Sequence, residues 1–227
     1  TRTIIPLEVI IKIKTLSSSD LIKFSTDIVK LLISKVNHFL GNGTSKEQTA
    51  VFELYTEIAE TLNYRPSSNL NACLIRIVNN YEISLNVNDS VLSKFWSFVA
   101  SVLSSSENFD LNSLESKIVK TLESEAMFKS KILVCRVISL YWGRIIEKNN
   151  VFNLLLSCTN ANNKLKWNIA VALMNYKHSD VVEFDKIKEI WINEMDAKRN
   201  YKVMHSWTRL LLNWSVLYQY DLISSPY

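Results

Sequence analysis

KLKWNIAVALMN at residues 164–175 and KVMHSWTRLLLN at residues 202–213 align without a gap at an offset of 38 residues. Leu165 pairs with Val203, Ala170 with Thr208, Leu173 with Leu211 and Asn175 with Asn213. In each copy apolar side chains recur every three or four residues, the period that gathers them on one face of an α-helix. Between the copies, Ile187, Ile190, Trp191 and Met195 form another amphipathic stripe, so the unit reads helix, turn, helix. One such hairpin cannot cover its own apolar face, whereas stacked hairpins bury a continuous core.

The same spacing extends back through the chain. Leu21, Phe24, Ile28, Leu32, Val36 and Phe39 make one stripe, and Val51, Leu54, Ile58 and Leu62 make the next. Leu70, Leu74, Ile77, Val78 and Tyr81 follow, then Leu92, Phe95, Trp96, Val99, Val102 and Leu103. Further helices are predicted over about 111–122, 126–148, 164–176, 185–195 and 201–218, which makes roughly nine in all. The 126–148 segment is apolar nearly all round, as expected of a central helix with neighbours on several sides. Residues 4–16 read less clearly: Glu8 to Lys14 alternate as a strand would, but Pro6 can open a helix, and the rest of the chain favours helix.

The joints have mechanisms of their own. Gly41, Asn42 and Gly43 tolerate positive φ and stop one helix, and Thr44 with Glu47 has the spacing of a capping box that starts the next. Pro66 closes the following helix, and polar breaks fall at 86–89, 104–110 and 160–163. Links this short suit antiparallel neighbours.

Composition excludes the competing classes. Only 3 Gly and 3 Pro occur in 227 residues, too little turn punctuation for a sandwich, a barrel or a doubly wound sheet. Hydrophobic residues reach 48%, which excludes disorder. The longest apolar run, residues 132–146, is broken by Arg136 and Arg144, so no membrane span is expected. Cys73, Cys135 and Cys158 are odd in number and widely spaced, which suits buried thiols in a reducing compartment rather than a disulfide framework or a zinc cluster. The chain opens at Thr1 without a methionine or a signal pattern, which suggests a piece of a longer intracellular protein, cytoplasmic or nuclear. Its Asn-rich, Gly-poor composition points weakly to a eukaryotic source.

The paired hairpins resemble HEAT and armadillo-type repeats. The second helix of such a repeat commonly opens with a basic residue, an aliphatic and another basic residue, then a small-residue run ending in Leu. Lys164, Leu165, Lys166 and Trp167 through Leu173 look like that pattern. The later copy departs from it, with Met204 at the second basic position and Trp207 and Thr208 in place of small residues. A looser match runs over residues 131–140. The resemblance implies an all-α, right-handed superhelix of about four to five hairpins over residues 1–227, clearest over 126–227. It also implies a protein-binding scaffold or complex subunit. A non-repetitive helical bundle, in which two similar helices coincide, stays open beside it.

Chemistry-bearing motifs are scarce. Glycines at 41, 43 and 143 alone allow no phosphate-binding loop. His38, His178 and His205 fall on different elements, without the i, i+4 pairing of a helix-borne zinc site. The acidic pairs sit among polar residues rather than in an apolar setting that would split their pKa values. No catalytic, cofactor or metal residues are therefore assigned, and no small-molecule substrate is expected.

Two surfaces remain. Residues 117–148 hold seven basic against three acidic side chains, the whole net charge of +4. If they shared a face, Lys117, Lys120, Lys129, Lys131 and Arg136 would make a patch for a phosphate backbone, the alternative function of a nucleic-acid-binding domain. Trp191, Trp207 and Trp214, with Lys198, Arg199 and Lys202, mark the last hairpins as the candidate partner surface, because Trp and Arg dominate interface hot spots. The favoured reading is a non-catalytic scaffold that binds protein partners within a larger assembly.

Overall fold

A computed structural model describes residue 15 and residues 17–84, 87–105, 113–160, 162–176, 181–196 and 200–218. Most of these residues are helical, and no strand occurs among them. The ambiguous 4–16 segment, apart from Thr15, lies outside them, as do Lys198 and Arg199. The chain divides into two compact units, Thr1–Leu133 and Val134–Tyr227.

The N-terminal unit contains α1 (Ser18–Leu21), α2 (Thr26–Val36), α3 (Phe39–Asn42), α4 (Ser45–Thr61), α5 (Ser68–Asn80), α6 (Asp89–Ser105) and α7 (Leu114–Glu123), and α8 (Phe128–Tyr141) begins in it. The stripe expected as one helix over 21–39 is thus three helices. Ser25 interrupts it, holding extended backbone at φ −67° and ψ 154° and accepting the Ile28 N–H to cap α2. Phe24, Ile28 and Leu31 consequently face outward, while Val29, Ile33 and Val36 are buried.

The capping box forms as read. Thr44 Oγ1 accepts the Glu47 N–H at 3.3 Å, and Glu47 Oε2 accepts the Thr44 N–H at 2.6 Å. The glycines before it work differently from expectation. Gly43 has φ −84°, which any residue adopts, but a Cβ there would lie 2.5 Å from the Phe39 carbonyl oxygen. Close approach, not positive φ, selects glycine.

The core of this unit is the packing of α4 on α6. Phe52 meets Phe95 at 5.5 Å and Phe98 at 6.2 Å between ring centroids, and Tyr81 closes on both Phe52 and Phe95. All four rings are buried. Each buried large apolar side chain contributes roughly 1.5–3 kcal/mol before entropy is subtracted.

Past the middle of α8 the chain runs through a 3₁₀ turn (Trp142–Arg144), α9 (Lys148–Ser157), a second 3₁₀ turn (Cys158–Asn160), α10 (Asn163–Leu173), α11 (Val181–Asp196) and α12 (Tyr201–Tyr218). The helix expected over 126–148 therefore stops at Tyr141, and α9 is a helix the periodicity missed. Leu140 is half-exposed and Ile146 is 88% exposed, so the segment is not buried all round. Asn162 caps α10 with its side-chain oxygen on the Lys164 and Leu165 N–H groups.

α12 packs on both α10 and α11. The two aligned dodecamers share an inside and an outside: Leu165 and Val203, Ile169 and Trp207, Ala172 and Leu210, and Leu173 and Leu211 are buried pairs. Trp167 and His205, and Val171 and Arg209, are exposed pairs.

Candidate interaction surfaces

The C-terminal tryptophans divide by burial. Trp207 and Trp214, seven residues apart on one face of α12, are 0% and 1% exposed. The Trp214 ring stacks on Tyr176 at 5.7 Å, Tyr176 stacks on Phe152 at 5.2 Å, and Trp142 closes on Tyr176 at 4.7 Å. Trp142 Nε1 donates to the Ala172 carbonyl at 2.7 Å. The expectation that Trp207 and Trp214 present a partner surface is corrected: both fill the core of the C-terminal unit. Periodicity puts them on one face but does not say whether that face is the inner one. Trp191 is half-buried, its Nε1 donating to Thr208 Oγ1 at 2.9 Å, so it ties α11 to α12. Lys202 is exposed.

Inside the same unit lies a charged pair that the sequence reading passed over. Lys166 Nζ donates to Glu194 Oε1, with both side chains under a tenth exposed. The repeat motif gives Lys166 only the role of its second basic residue. The signal was available: Lys166 precedes Ile169 and Ala170 by a helical step, and Glu194 is two turns past Ile187, so each sits on its helix's buried stripe. Elsewhere in the unit, Tyr176 Oη donates to Glu183 Oε1 at 2.8 Å and lies 3.2 Å from Asn149 Oδ1.

The expected basic patch loses one of its five members. Lys117 is 7% exposed and donates to the Asn79 carbonyl at 3.1 Å and to Ser113 Oγ. Burial depresses its ammonium pKa, with Glu82 acting in the opposite direction. Lys120 donates to the Ile83 carbonyl. Lys117 is buried on its acceptors, which corrects its assignment to the patch, whereas Lys120 is exposed and keeps donors for solvent beside its one carbonyl contact. Lys129 and Arg136 are exposed and Lys131 half-exposed. The N-terminus of α8 already has an anion, because Asp89 accepts the N–H groups of Lys129 and Ser130, each at 2.9 Å.

An open groove runs along the N-terminal unit between α2 and α5. One part, about 500 Å³, is lined by Lys30, Ser34, Asn37, Cys73 and Arg76 among others. A second part, about 530 Å³, continues past Gln48 toward Glu82, and the two share Leu40, Gly41, Asn80 and Tyr81. Burial pushes the Cys73 thiol up despite the Arg76 and Lys30 cations, so it stays protonated near neutrality and is no nucleophile. Burial likewise pushes Tyr81 up to about 12. Beneath the groove, Tyr55 Oη donates toward the Ile33 carbonyl at 3.4 Å and Asn37 Oδ1 at 3.3 Å.

No family model, curated protein or solved structure matches the chain. Its surfaces are therefore read from their own chemistry. Among the described residues no cluster of three or more His, Cys, Asp or Glu side chains is placed to hold a metal, and no helix is long and apolar enough to cross a membrane. His38 and His205 stand apart, His38 with Nδ1 2.8 Å from the Lys35 carbonyl and His205 stacked on Tyr201 at 5.8 Å.

α12 also has an unusual outer face. Tyr201, His205, Arg209, Leu212 and Val216 succeed one another at helical steps, and all are exposed. Tyr201 and Val216 are more than three-quarters exposed and Leu212 half. Opposite them, Val203, Trp207, Leu210, Leu211 and Trp214 are buried.

Proposed function

We propose that the chain is a non-catalytic scaffold, a right-handed α–α superhelix resembling HEAT and armadillo repeats, which serves as a subunit of a larger intracellular assembly, cytoplasmic or nuclear. The observation that carries this reading is the outer face of α12. A helix at a solvated edge normally turns polar residues outward. Here Tyr201, Leu212 and Val216 lie apolar and exposed, with Arg209 and Lys202 beside them. Apolar side chains interleaved with an Arg on one exposed face suit a protein interface, where aromatic and Arg side chains are the usual anchors. The occupant is a protein partner with an apolar patch rimmed by carboxylates. Nucleic acid is the less favoured ligand, because Lys117 is buried on the Asn79 carbonyl and drops out of the basic patch.

The test is affinity purification from source cells, with and without nuclease, followed by mass spectrometry, beside a Leu212→Asp, Val216→Asp double variant. Proteins retained after nuclease and lost with the double variant support the scaffold. Partners that vanish on nuclease treatment, or that the double variant still holds, overturn it.

A further inference from the structure

Hydrogen bonds set α10 and α12 side by side in one register. Tyr176 to Glu183 and Lys166 to Glu194 run α11 antiparallel to α10, and Trp191 to Thr208 runs α12 antiparallel to α11. α10 and α12, which pack on each other, are therefore parallel. Glu194 lies three residues past Trp191 and His205 three before Thr208, so Lys166 and His205 stand at nearly one height. The exposed positions then form rungs: Lys164 with Lys202, Trp167 with His205, Val171 with Arg209, and beyond them Leu212 and Val216. α11 meets the two neighbours at buried or half-buried positions and leaves these rungs uncovered.

The face they make holds cations without carboxylates. α10 and α12 contain no Asp or Glu, whereas α11 contains five. Asp196, the last residue of α11, is followed by Lys198 and Arg199. Lys164, Lys202 and Arg209 form no ion pair or side-chain hydrogen bond with any described residue. Lys164 and Lys202 also stand in the first turns of their helices, where a cation opposes the dipole, and the caps beneath them, Asn162 and Asn200, are neutral. Two equivalent helices thus carry an unfavourable lysine that an external anion would offset. Toward the other end the face turns aliphatic at Leu212 and Val216. Its chemistry changes along the helix axes, so an occupant lies along them.

We propose that this face binds an amphipathic helix of a protein partner, laid along the furrow between α10 and α12, with carboxylates at the end over Lys164 and Lys202 and an apolar stripe over Trp167, Val171, Leu212 and Val216. The inference rests on the scaffold reading and names the chemistry of its partner. Lys202 to Val216 spans about 21 Å of helix, so the partner helix needs about four turns. Two parallel helices with an apolar furrow are the usual seat of such a ligand. A nucleic acid fits less well, because its charge would continue onto the aliphatic end. The lysines favour the acidic ligand through rate and selectivity as much as through affinity.

The probes are two fluorescein-labelled helical peptides of about eighteen residues, built of Ala, Gln and one Leu stripe, with glutamates in the first turn of one and the last turn of the other. Each is titrated into the full chain at low salt beside a counterpart with glutamine for glutamate, and labelled oligothymidylate is the nucleic-acid probe. The expected result is binding of a glutamate peptide and not of its glutamine counterpart, weakened roughly tenfold or more by a Lys164→Glu, Lys202→Glu double variant. A Lys35→Glu, Lys46→Glu variant, with the same change of net charge on the other unit, should bind as wild type does. The milder Lys164→Gln, Lys202→Gln variant gives a second readout: it should bind less and yet unfold at a higher urea midpoint, because it removes two cations from the positive ends of helices. Failure of both glutamate peptides, equal binding of the glutamine forms, indifference to the charge reversal, a lower midpoint in the glutamine variant, or tighter binding of oligothymidylate would each overturn the assignment. Partner capture lost through Leu212→Asp, Val216→Asp while neither peptide binds would sink this ligand and leave the scaffold standing.

Discussion

In the N-terminal unit, side chains that reach across the sequence mostly end on backbone. Glu57 accepts the Ser18 N–H at 2.8 Å, Asp89 accepts two N–H groups of α8, Arg65 donates to the carbonyls of Ile22 and Phe24, and Lys117 donates to that of Asn79. In the C-terminal unit they mostly end on other side chains: Lys166 on Glu194, Tyr176 on Glu183, Lys186 on Asn153 and Trp191 on Thr208. The difference concerns what each contact costs when broken. A backbone group at a helix end near solvent can turn to water, so losing its side-chain partner costs about one hydrogen bond. A buried charge stripped of its counter-charge has no such refuge.

The largest effect should therefore fall on the buried pair. Lys166→Met leaves the buried Glu194 carboxyl without its partner, and we expect a loss of about 3–5 kcal/mol. Replacing both members, Lys166→Met with Glu194→Met, should recover most of that loss, because an apolar pair of similar volume asks nothing of the core. Urea midpoints at unchanged slope read both values. A single variant within about 1 kcal/mol of wild type would mean that water reaches the pair, and the contrast between the units would then fail.

How much of this the sequence disclosed depends on what each contact leaves in the local pattern. α12 lies where its stripe ends, Tyr201–Tyr218, and Thr44 with Glu47 forms the box that its spacing announces. Both are local facts, settled within a turn or two of helix. The break at Trp142–Arg144 was missed because Ile145 and Ile146 continue an apolar run, although only Ile145 is buried. α9 was missed because Val151, Phe152 and Leu155 make too short a stripe to stand out from their neighbours. The site residues were hardest to read. Spacing grouped Trp207 with Trp214 correctly, but whether a shared face points inward is decided by Phe152 and Tyr176, which lie far away in sequence. The groove was invisible for the same reason, since Lys30 and Arg76 meet only through tertiary packing.

A smaller loss is expected where the N-terminal unit's own mode of contact is removed. Asp89→Ala takes away the acceptor for the Lys129 and Ser130 N–H groups, and for the Ser130 hydroxyl at 2.5 Å. The cost should be about 1–2 kcal/mol, the upper range for a helix cap. Asp89→Asn keeps one oxygen on the α8 N-terminus and should recover much of it. Amide exchange at residues 129 and 130 should accelerate in Asp89→Ala more than exchange within α4. A loss as large as that of Lys166→Met would show that the backbone-directed contacts are no more forgiving than the buried pair.

The smallest effect belongs to the exposed capping box, which isolates a backbone-directed contact from burial altogether. Thr44→Ala should cost about 1 kcal/mol through the lost acceptor for the Glu47 N–H. Its partner adds a dependence on pH. The Thr44 N–H and hydroxyl hold the Glu47 carboxyl below its ordinary value of 4.5. A folded-state pKa below the unfolded one means that the unfolded chain binds the proton more readily, so this contribution is complete above pH 4.5 and fades as pH falls through the lowered folded value. Glu47→Gln keeps an oxygen that can accept the Thr44 N–H but carries no charge to lose. The stability gap between wild type and Glu47→Gln should therefore be small at neutral pH and should narrow as the pH is lowered from 4.5 to about pH 3. Urea midpoints at both pH values decide it, and a gap that stays constant would show that the carboxylate charge contributes nothing to the cap. The cap would then stand on the Thr44 oxygen alone, and the N-terminal unit's tolerance of substitution would extend even to its charged contacts.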